Sequence, residues 1–429
     1  MRPRSDTARP GTLRLSRLGL LALALPVGIL GEADAQAGAC THARKGEPLK
    51  VHLLTTSPGD QVFNSMGHTA ISLSGGPLEE PEVYNWGAFD GRRPDLLAAF
   101  LSGRMEFWLA NEVWKVQWKR TVRQDRTMVA QELNLPQVRA MELLDSLAEG
   151  HKKENRYYIY NWSTNNCATR ARDVLDEVTA GALKEAMDRP VDETARFEGA
   201  RHLAPWPAVA FGFNFLASDY LDQPLTAWDV GMVPERLMKS VSAVEFSSGW
   251  PDGKSRPLVA ETCTLRSGGN LWADPEPLPR WPFVLTGLLM ALVGGGLTTR
   301  SAPNARIGGG VLLALNLAFG ALLGTATLVL WANSDLNGVG PTENWAFAGP
   351  QGFVLVWMLV RALRGRASAA LAWGAAAIAG SSVVYAVLKL VVGLPQQNWD
   401  MVGTFVPSVL AVAAVVFHAA RARASSPST

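Results

Sequence analysis

The chain has 429 residues, a formal charge of +2, 18% charged residues and 48% hydrophobic residues. Charge this balanced excludes a protein that works through a basic surface, so no nucleic-acid partner is expected. The average hides a division: the first two-thirds is mixed and the last third is mostly apolar.

In chain order, Arg2, Arg4, Arg9, Arg14 and Arg17 precede an apolar run from Leu18 to Leu30, and Ala33-Asp34-Ala35 offers a cleavage site. This predicts a signal peptide over 1–35 and an exported domain over 40–278. Export permits disulfides. Of the three cysteines, Cys40 opens that domain and Cys263 lies near its end, so their pairing would leave Cys167 as the free thiol. Pairing of Cys167 with either of the others stays open at this point.

Lys50 to Thr56 reads as a buried strand, Ser57 to Asp60 as a turn, and Gly67 to Leu73 as a second strand. Alternation sets Thr69, Ile71 and Leu73 on one face and His68, Ala70 and Ser72 on the other. Glu82 to Gly87 is a third strand, with Asn85 opposite in face to Tyr84 and Trp86. Pro94 to Gly103 predicts a short helix. Met105 to Ala110 and Val113 to Arg126 read as strands. Leu135 to Glu149 reads as an amphipathic helix, and Tyr157 to Tyr160 as a strand. The fold class expected is α+β.

After Tyr160 a polar turn runs to Cys167, followed by Ala168, Ala171, Val174, Leu175 and Val178 at helical spacing. Asn166 or Thr164 can cap that helix, placing Cys167 at or beside its first position. There the helix dipole and free N–H groups favour the thiolate, the nucleophile of acyl chemistry. His68, at a strand start, is the candidate base. Asn85 is the candidate orienter of its ring, with Asn165 as competitor. His52 and His202 are the reserve bases. A structural role for Cys167 is the competing reading. No metal-ligand cluster is visible, and no cofactor is expected.

The motifs G-H-T-A-I at 67–71, Y-N-W-G-A-F-D at 84–90, F-L-S-G at 100–103, Q-E-L-N-L-P at 131–136 and Y-N-W-S-T-N-N-C-A-T-R-A-R-D at 160–173 stand together in this chain. With a looser match over 221–237, the stretch from Lys50 to Leu237 resembles the Lnb N-terminal periplasmic domain family. That family is similar to circularly permuted papain-like proteins, including NlpC-type peptidases and the lecithin:retinol acyltransferase group. The resemblance implies a permuted papain-like fold, Cys167 as nucleophile, His68 as base, and apolipoprotein N-acylation as the activity. It implies a membrane phospholipid as acyl donor and a lipoprotein as acceptor. The acyltransferase relatives carry a second His soon after the first; this chain has none there, so the resemblance assigns no orienter.

Pro205 to Leu221 is apolar and aromatic but too broken for a span; it suits an interfacial surface or a buried segment. Five apolar runs follow: 281–297, 307–332, 347–363, 369–392 and 401–419, each long enough to cross about 30 Å of hydrocarbon. Together they predict a helical membrane domain over 281–420. Arg300, Arg306, Arg364, Arg366, Arg421 and Arg423 lie in loops one and three and the tail, while loops two and four hold no Lys or Arg. The tail, 421–429, is therefore placed in the cytoplasm and the first domain in the periplasm of a bacterial inner membrane. The outer loops share an Asn-Trp pair, Asn344-Trp345 and Asn398-Trp399, which reads either as a rim that binds lipid head groups or as an interfacial Trp belt. Lys389 reads as a snorkelling residue that could meet a phosphate. The expected function is lipoprotein N-acyl transfer; a membrane-anchored papain-like thiol hydrolase of cell-wall peptide or lipid, and a non-catalytic scaffold, are the alternatives.

Overall fold

The computed structural model describes residues 40–269 and 275–425. The expected signal peptide lies outside the described residues, as do 426–429 of the tail.

The first part is α+β. Its sheet takes the strands β1 (Lys50–Thr56), β2 (His68–Ser74), β3 (Glu82–Ala88), β4 (Glu106–Val113), β5 (Met128–Leu133) and β6 (Tyr157–Ile159). Two small ribbons pair β7 (Pro190–Val191) with β8 (Leu225–Thr226) and β9 (Glu245–Phe246) with β10 (Arg256–Pro257). The last strand, β11 (Val259–Arg266), completes an antiparallel sheet in the order β11-β5-β1-β2-β3-β4-β6. The helices are α1 (Leu96–Leu101), α2 (Trp114–Arg123), α3 (Gln137–His151), α4 (Cys167–Val178), α5 (Ala182–Met187), α6 (Ala195–Leu203), α7 (Pro207–Leu216), α8 (Ala227–Val230) and α9 (Pro234–Val241).

One face of the sheet carries the main core. Ile71, Leu73, Tyr84 and Trp86 meet Leu143 and Leu147 of α3, Ala171 and Leu175 of α4, and Leu237 of α9. The apolar stripe of α4 thus faces β2 and fixes where its first residue sits. The opposite face holds Leu54, Ala70, Val83 and Ala130 under Trp114. There Cys40 and Cys263 form a disulfide with Cα atoms 6.1 Å apart, tying the start of the domain to edge strand β11. Cys167 is free.

One expected strand is a helix. Residues 114–123 of the Val113–Arg126 stretch form α2. Its buried positions are Gln117 and Thr121, while Val116 and Val122 are exposed. A polar buried stripe conceals helical periodicity, and the β-branched and aromatic residues mimic a strand. β5 and β11 were not anticipated: β5 is buried almost throughout and shows no alternation.

Five apolar helices follow: α10 (Trp281–Thr298), α11 (Pro303–Asn333), α12 (Gln351–Leu363, with a 3-10 turn at Glu343–Ala346), α13 (Ala369–Val392) and α14 (Trp399–Ala424). Each is long and apolar enough to cross a membrane, α12 together with its preceding turn. Loop three and the end of α14 meet at one end of the bundle, where Arg423 Nη1 donates to Ala367 O at 3.2 Å. The α+β domain packs at the other end, as described below. This disposition agrees with an exported domain and arginines left inside.

Candidate active site

Asn166 starts α4 as its cap. Its Oδ1 accepts from Ala168 N at 2.8 Å and Thr169 N at 3.0 Å, and Thr169 Oγ1 accepts from Asn166 N at 2.8 Å. Its Nδ2 donates to Trp162 O and Met232 O. This buried, saturated cap makes Cys167 the first helical residue. Asn165 is used elsewhere: its Nδ2 donates to Ile159 O and its Oδ1 accepts from Arg170 Nε. The competing orienter is therefore a strut of the turn.

His68 opens β2, opposite Thr56 of β1. His68 Nε2 and Asn85 Oδ1 lie 2.9 Å apart. The protonation pattern follows from the next partner. Asn85 Nδ2 donates to Glu112 Oε1 at 3.0 Å, and Glu112 is held by Arg120 through two bonds of 2.7 and 2.6 Å. A carboxylate paired with arginine only accepts, so the Asn85 amide nitrogen faces Glu112 and its oxygen faces the imidazole. Nε2 then carries the hydrogen, and Nδ1 keeps the lone pair that a general base needs. The glycine at 87 serves the same ring: a Cβ there would lie 2.7 Å from His68 Cε1.

The Cys167 sulfur meets the backbone N–H of Thr69, next in chain to His68, and that of Ala168. Thiol and imidazole are thus brought to one end of the sheet, although they are not hydrogen-bonded to each other in this state. Dyads of this kind commonly tighten when substrate binds. Arg126, buried beneath them, donates from Nε to Ser57 O at 2.6 Å and from Nη1 to Gln124 Oε1 at 3.1 Å. Its charge acts on both members, lowering the thiol and imidazole pKa values.

Burial dominates the protonation of the pair. It pushes the Cys167 thiol up, against the pull of the Thr69 and Ala168 N–H groups and of Arg126. Burial also lowers His68 to about 4, opposed by Asn85 and reinforced by Arg126 and Arg120. Both shifts favour the neutral forms, thiol and imidazole. This departs from the thiolate expected from the helix start alone, because desolvation outweighs the dipole.

The reserve bases are engaged elsewhere. His202 Nδ1 lies 3.1 Å from Ser65 O, with Glu198 close to its other nitrogen. His52 sits beside Glu132 and His42. Glu112, Arg120 and Arg126 were missed in the sequence. The signal for Glu112 is the register that sets Asn85 opposite Ala110, which makes Glu112 a diagonal neighbour on the same face.

The membrane bundle reaches this site. The outer loop after α11 lays Leu336 into a cluster with Trp162, Ala217, Leu221 and Val233. Asn337 Nδ2 donates to Thr164 Oγ1, three residues before Cys167, at 3.2 Å. Ser334 Oγ donates to Leu101 O and Asp335 N to Ser102 O. Gly103, with φ of +69°, explains the end of the F-L-S-G motif: a Cβ there would lie 2.5 Å from Leu336 N. Helix α7 adds an apolar joint, with Phe211 against Phe283 and Phe319, and Phe215 against Phe405. Phe211 and Phe215 of the aromatic segment therefore pack on the bundle and Phe213 on Trp162, while Pro205, Pro207, Ala208 and Val209 are exposed.

The expected head-group rim is corrected by burial. Asn344 and Asn398 are fully enclosed: Asn398 Nδ2 donates to Asn344 Oδ1 at 2.8 Å, Asn344 Nδ2 to Phe215 O at 2.9 Å, and Tyr385 Oη to Asn398 Oδ1 at 3.0 Å. The paired asparagines are saturated by protein and join the two outer loops to α7. Trp345 Nε1 donates to Thr327 Oγ1, and Trp399 lies under the Lys389 ammonium. Lys389 does not snorkel. It is buried against Glu343 Oε2 at 3.0 Å and the carbonyls of Leu394 and Gln396.

The arrangement is that of a membrane-associated α+β domain with a thiol and an imidazole at one sheet end, carried on five apolar helices. Residues 36–198 match the family model described as the Lnb N-terminal periplasmic domain. The looser similarity at 221–237 lies beyond the matched residues. No curated protein and no solved structure matches the chain. A periplasmic domain followed by membrane-capable helices fits an inner-membrane protein.

Proposed function

We propose that the protein is a cysteine acyltransferase that moves a fatty acyl chain from a membrane phospholipid to the N-terminal amine of a diacylglyceryl-cysteine lipoprotein. The observation that carries this reading is the direct bond between the bundle's outer loop and the Cys167 turn, Asn337 to Thr164. A thiol built onto the mouth of a membrane bundle suits a lipid ester better than a soluble peptide.

In the first half, His68 Nδ1 takes the Cys167 proton as the sulfur attacks the ester carbonyl. The C–S bond forms, the C–O bond breaks, and the departing lysophospholipid oxygen receives that proton. The backbone N–H groups of Cys167 and Thr69 are the donors offered to the developing charge, since those of Ala168 and Thr169 are held by the Asn166 cap. In the second half, the amine attacks the thioester, the C–N bond forms and the C–S bond breaks. His68 takes the amine proton and returns it to sulfur. No cofactor is required by this scheme.

The test is the mass of the full chain after incubation with phospholipid alone. One fatty-acyl mass on Cys167, removed by neutral hydroxylamine and discharged by a diacylated lipopeptide with a free amine, is expected. Cys167→Ala and His68→Ala should each abolish the adduct without additive effects, since they act as a unit. An adduct that only water discharges would favour a lipid hydrolase; no adduct, with cleavage of cell-wall peptide, would favour a peptidase. Full activity in Cys167→Ala would remove the thiol mechanism altogether.

A further inference from the structure

The 3-10 turn Val62–Asn64, four residues before His68, exposes two apolar side chains: Val62 at 38% and Phe63 at 55%. Across from it, Leu97 of α1 is 68% exposed. Phe63 is in ring contact with both Phe89, at 5.8 Å, and Phe100, at 6.4 Å. From Phe100 the next ring is Tyr160, at 6.2 Å; from Phe89 it is Phe107, at 4.8 Å, and then Tyr160 at 4.3 Å. Phe89, Phe100, Tyr160 and Cys167 are all partly exposed and pack on the same core cluster. An apolar track therefore runs from Val62, Phe63 and Leu97 through Phe100 to Tyr160, whose hydroxyl lies close enough to Cys167 to feel its charge.

The position of this track identifies what covers it. The C-terminal end of α1 is bonded to the bundle's outer loop through Leu101 O and Ser102 O. Arg104 and Asp335 pair across the same junction at 2.9 Å. The exposed end of the track is thus continuous with the membrane-facing end of the domain. What sets Val62, Phe63 and Leu97 apart from other exposed apolar residues of the domain, such as Val138 and Ile159, is that Phe63 is in ring contact with Phe89 and Phe100.

Resting on the acyl-transfer reading for the identity of the reaction, we propose that Val62, Phe63, Leu97, Phe89, Phe100 and Tyr160 form the entry track along which one acyl chain of a phospholipid in the outward-facing leaflet reaches Cys167. The chain's apolar length lies along the rings, which places its ester at the sulfur.

The full chain in nanodiscs of phosphatidylethanolamine and phosphatidylglycerol, with no lipoprotein present, provides the test. A benzophenone amino acid is placed at position 63, 97 or, as control, 153. Adducts with phospholipid at 63 and 97 but not at 153 are expected. In parallel, Cys167 is labelled with N-dodecylmaleimide and N-methylmaleimide in wild type and in F63D/L97D. The double variant should slow the long-chain reagent roughly fivefold or more, from the lost apolar contact, and leave the short reagent unchanged, which also shows that the site is folded. Adducts only with protein, adducts equal at all three positions, or no adducts would overturn the proposal. So would an equal slowing, or no slowing, of both reagents. None of these measurements needs acyl transfer to occur, so failure of the thioester to form would sink the reaction without deciding the track.

Discussion

Arg126 is the residue through which the resting state of the dyad can be tested. Its guanidinium is held by Ser57 O, Gln124 Oε1 and Thr56 O, and burial lowers it to about 10. Because its charge favours the thiolate and disfavours the imidazolium, Arg126→Gln should push the Cys167 thiol further up and let His68 rise. Alkylation of Cys167 by iodoacetamide at pH 8 should slow roughly threefold to tenfold, with Arg126→Lys restoring most of the rate. In wild type the same rate should climb with pH through and beyond the neutral range; a plateau already present near pH 6 would mean that the dyad rests as an ion pair. Asn85 acts on the ring itself, so Asn85→Ala should lower the rate of Cys167 acylation by about a hundredfold while leaving the protein folded; an unchanged rate would remove it from the site. At this scale the placement of the free thiol at a helix start and of the imidazole beside its amide partner was legible, because a polar turn before a helical stripe and a His at a strand start are local patterns. Glu112, Arg120 and Arg126 were not, since Glu112 joins the site through cross-strand register, Arg120 through Glu112, and Arg126 through backbone carbonyls 69 or more residues away.

Among the elements, β1 carries a histidine locked inside the sheet. His52 is buried, and neither ring nitrogen has a hydrogen-bond partner. Burial lowers it to about 4, partly offset by Glu132 at 3.6 Å and reinforced by His42 and Lys50. An unfolded chain protonates this histidine near pH 6.5, whereas the folded one resists until about pH 4. Between those values the unfolded state binds more protons, so stability falls as pH falls through the window. The expected loss is on the order of 2–3 kcal/mol for His52, with a contribution of the same sign from His68. His52→Leu should flatten the decline of the melting temperature between pH 7 and pH 4.5, followed by tryptophan fluorescence; a slope equal to wild type would place the sensitivity elsewhere. Helix identity was readable where burial followed the period, as in α4, while β1, β2 and β3, which are buried with little or no alternation, were readable as short apolar runs bounded by turn residues. It failed at α2, where the inward residues Gln117 and Thr121 are polar.

At the scale of the whole molecule, what holds the two parts together is a joint that is both polar and apolar. Gln396 Nε2 donates to Ala217 O at 3.0 Å, Gln397 N to Asp222 Oδ2 at 3.1 Å, and Arg196 pairs with Asp222 through bonds of 2.7 and 2.8 Å in a buried setting. Around these bonds lie Phe211 and Phe215, whose partners Phe283, Phe319 and Phe405 belong to the spans. The five apolar helices were legible from length and composition. The joint was not, because Asn-Trp pairs and a broken aromatic segment look the same in sequence whether they meet lipid or each other. The consequence is that the exported domain is not a free-standing unit. Ending the chain near residue 278 uncovers two phenylalanines, each worth about 1.5–3 kcal/mol of burial, and leaves the Phe215 and Ala217 carbonyls without their Asn344 and Gln396 donors. Such a truncated protein, with its disulfide intact, should elute as aggregates without detergent, and replacing Phe211 with a polar residue should partly restore a monomer. A monodisperse truncated domain whose Cys167 is alkylated at the full-length rate would show instead that the bundle only tethers the site, and that Asn337 and Leu336 do not shape it.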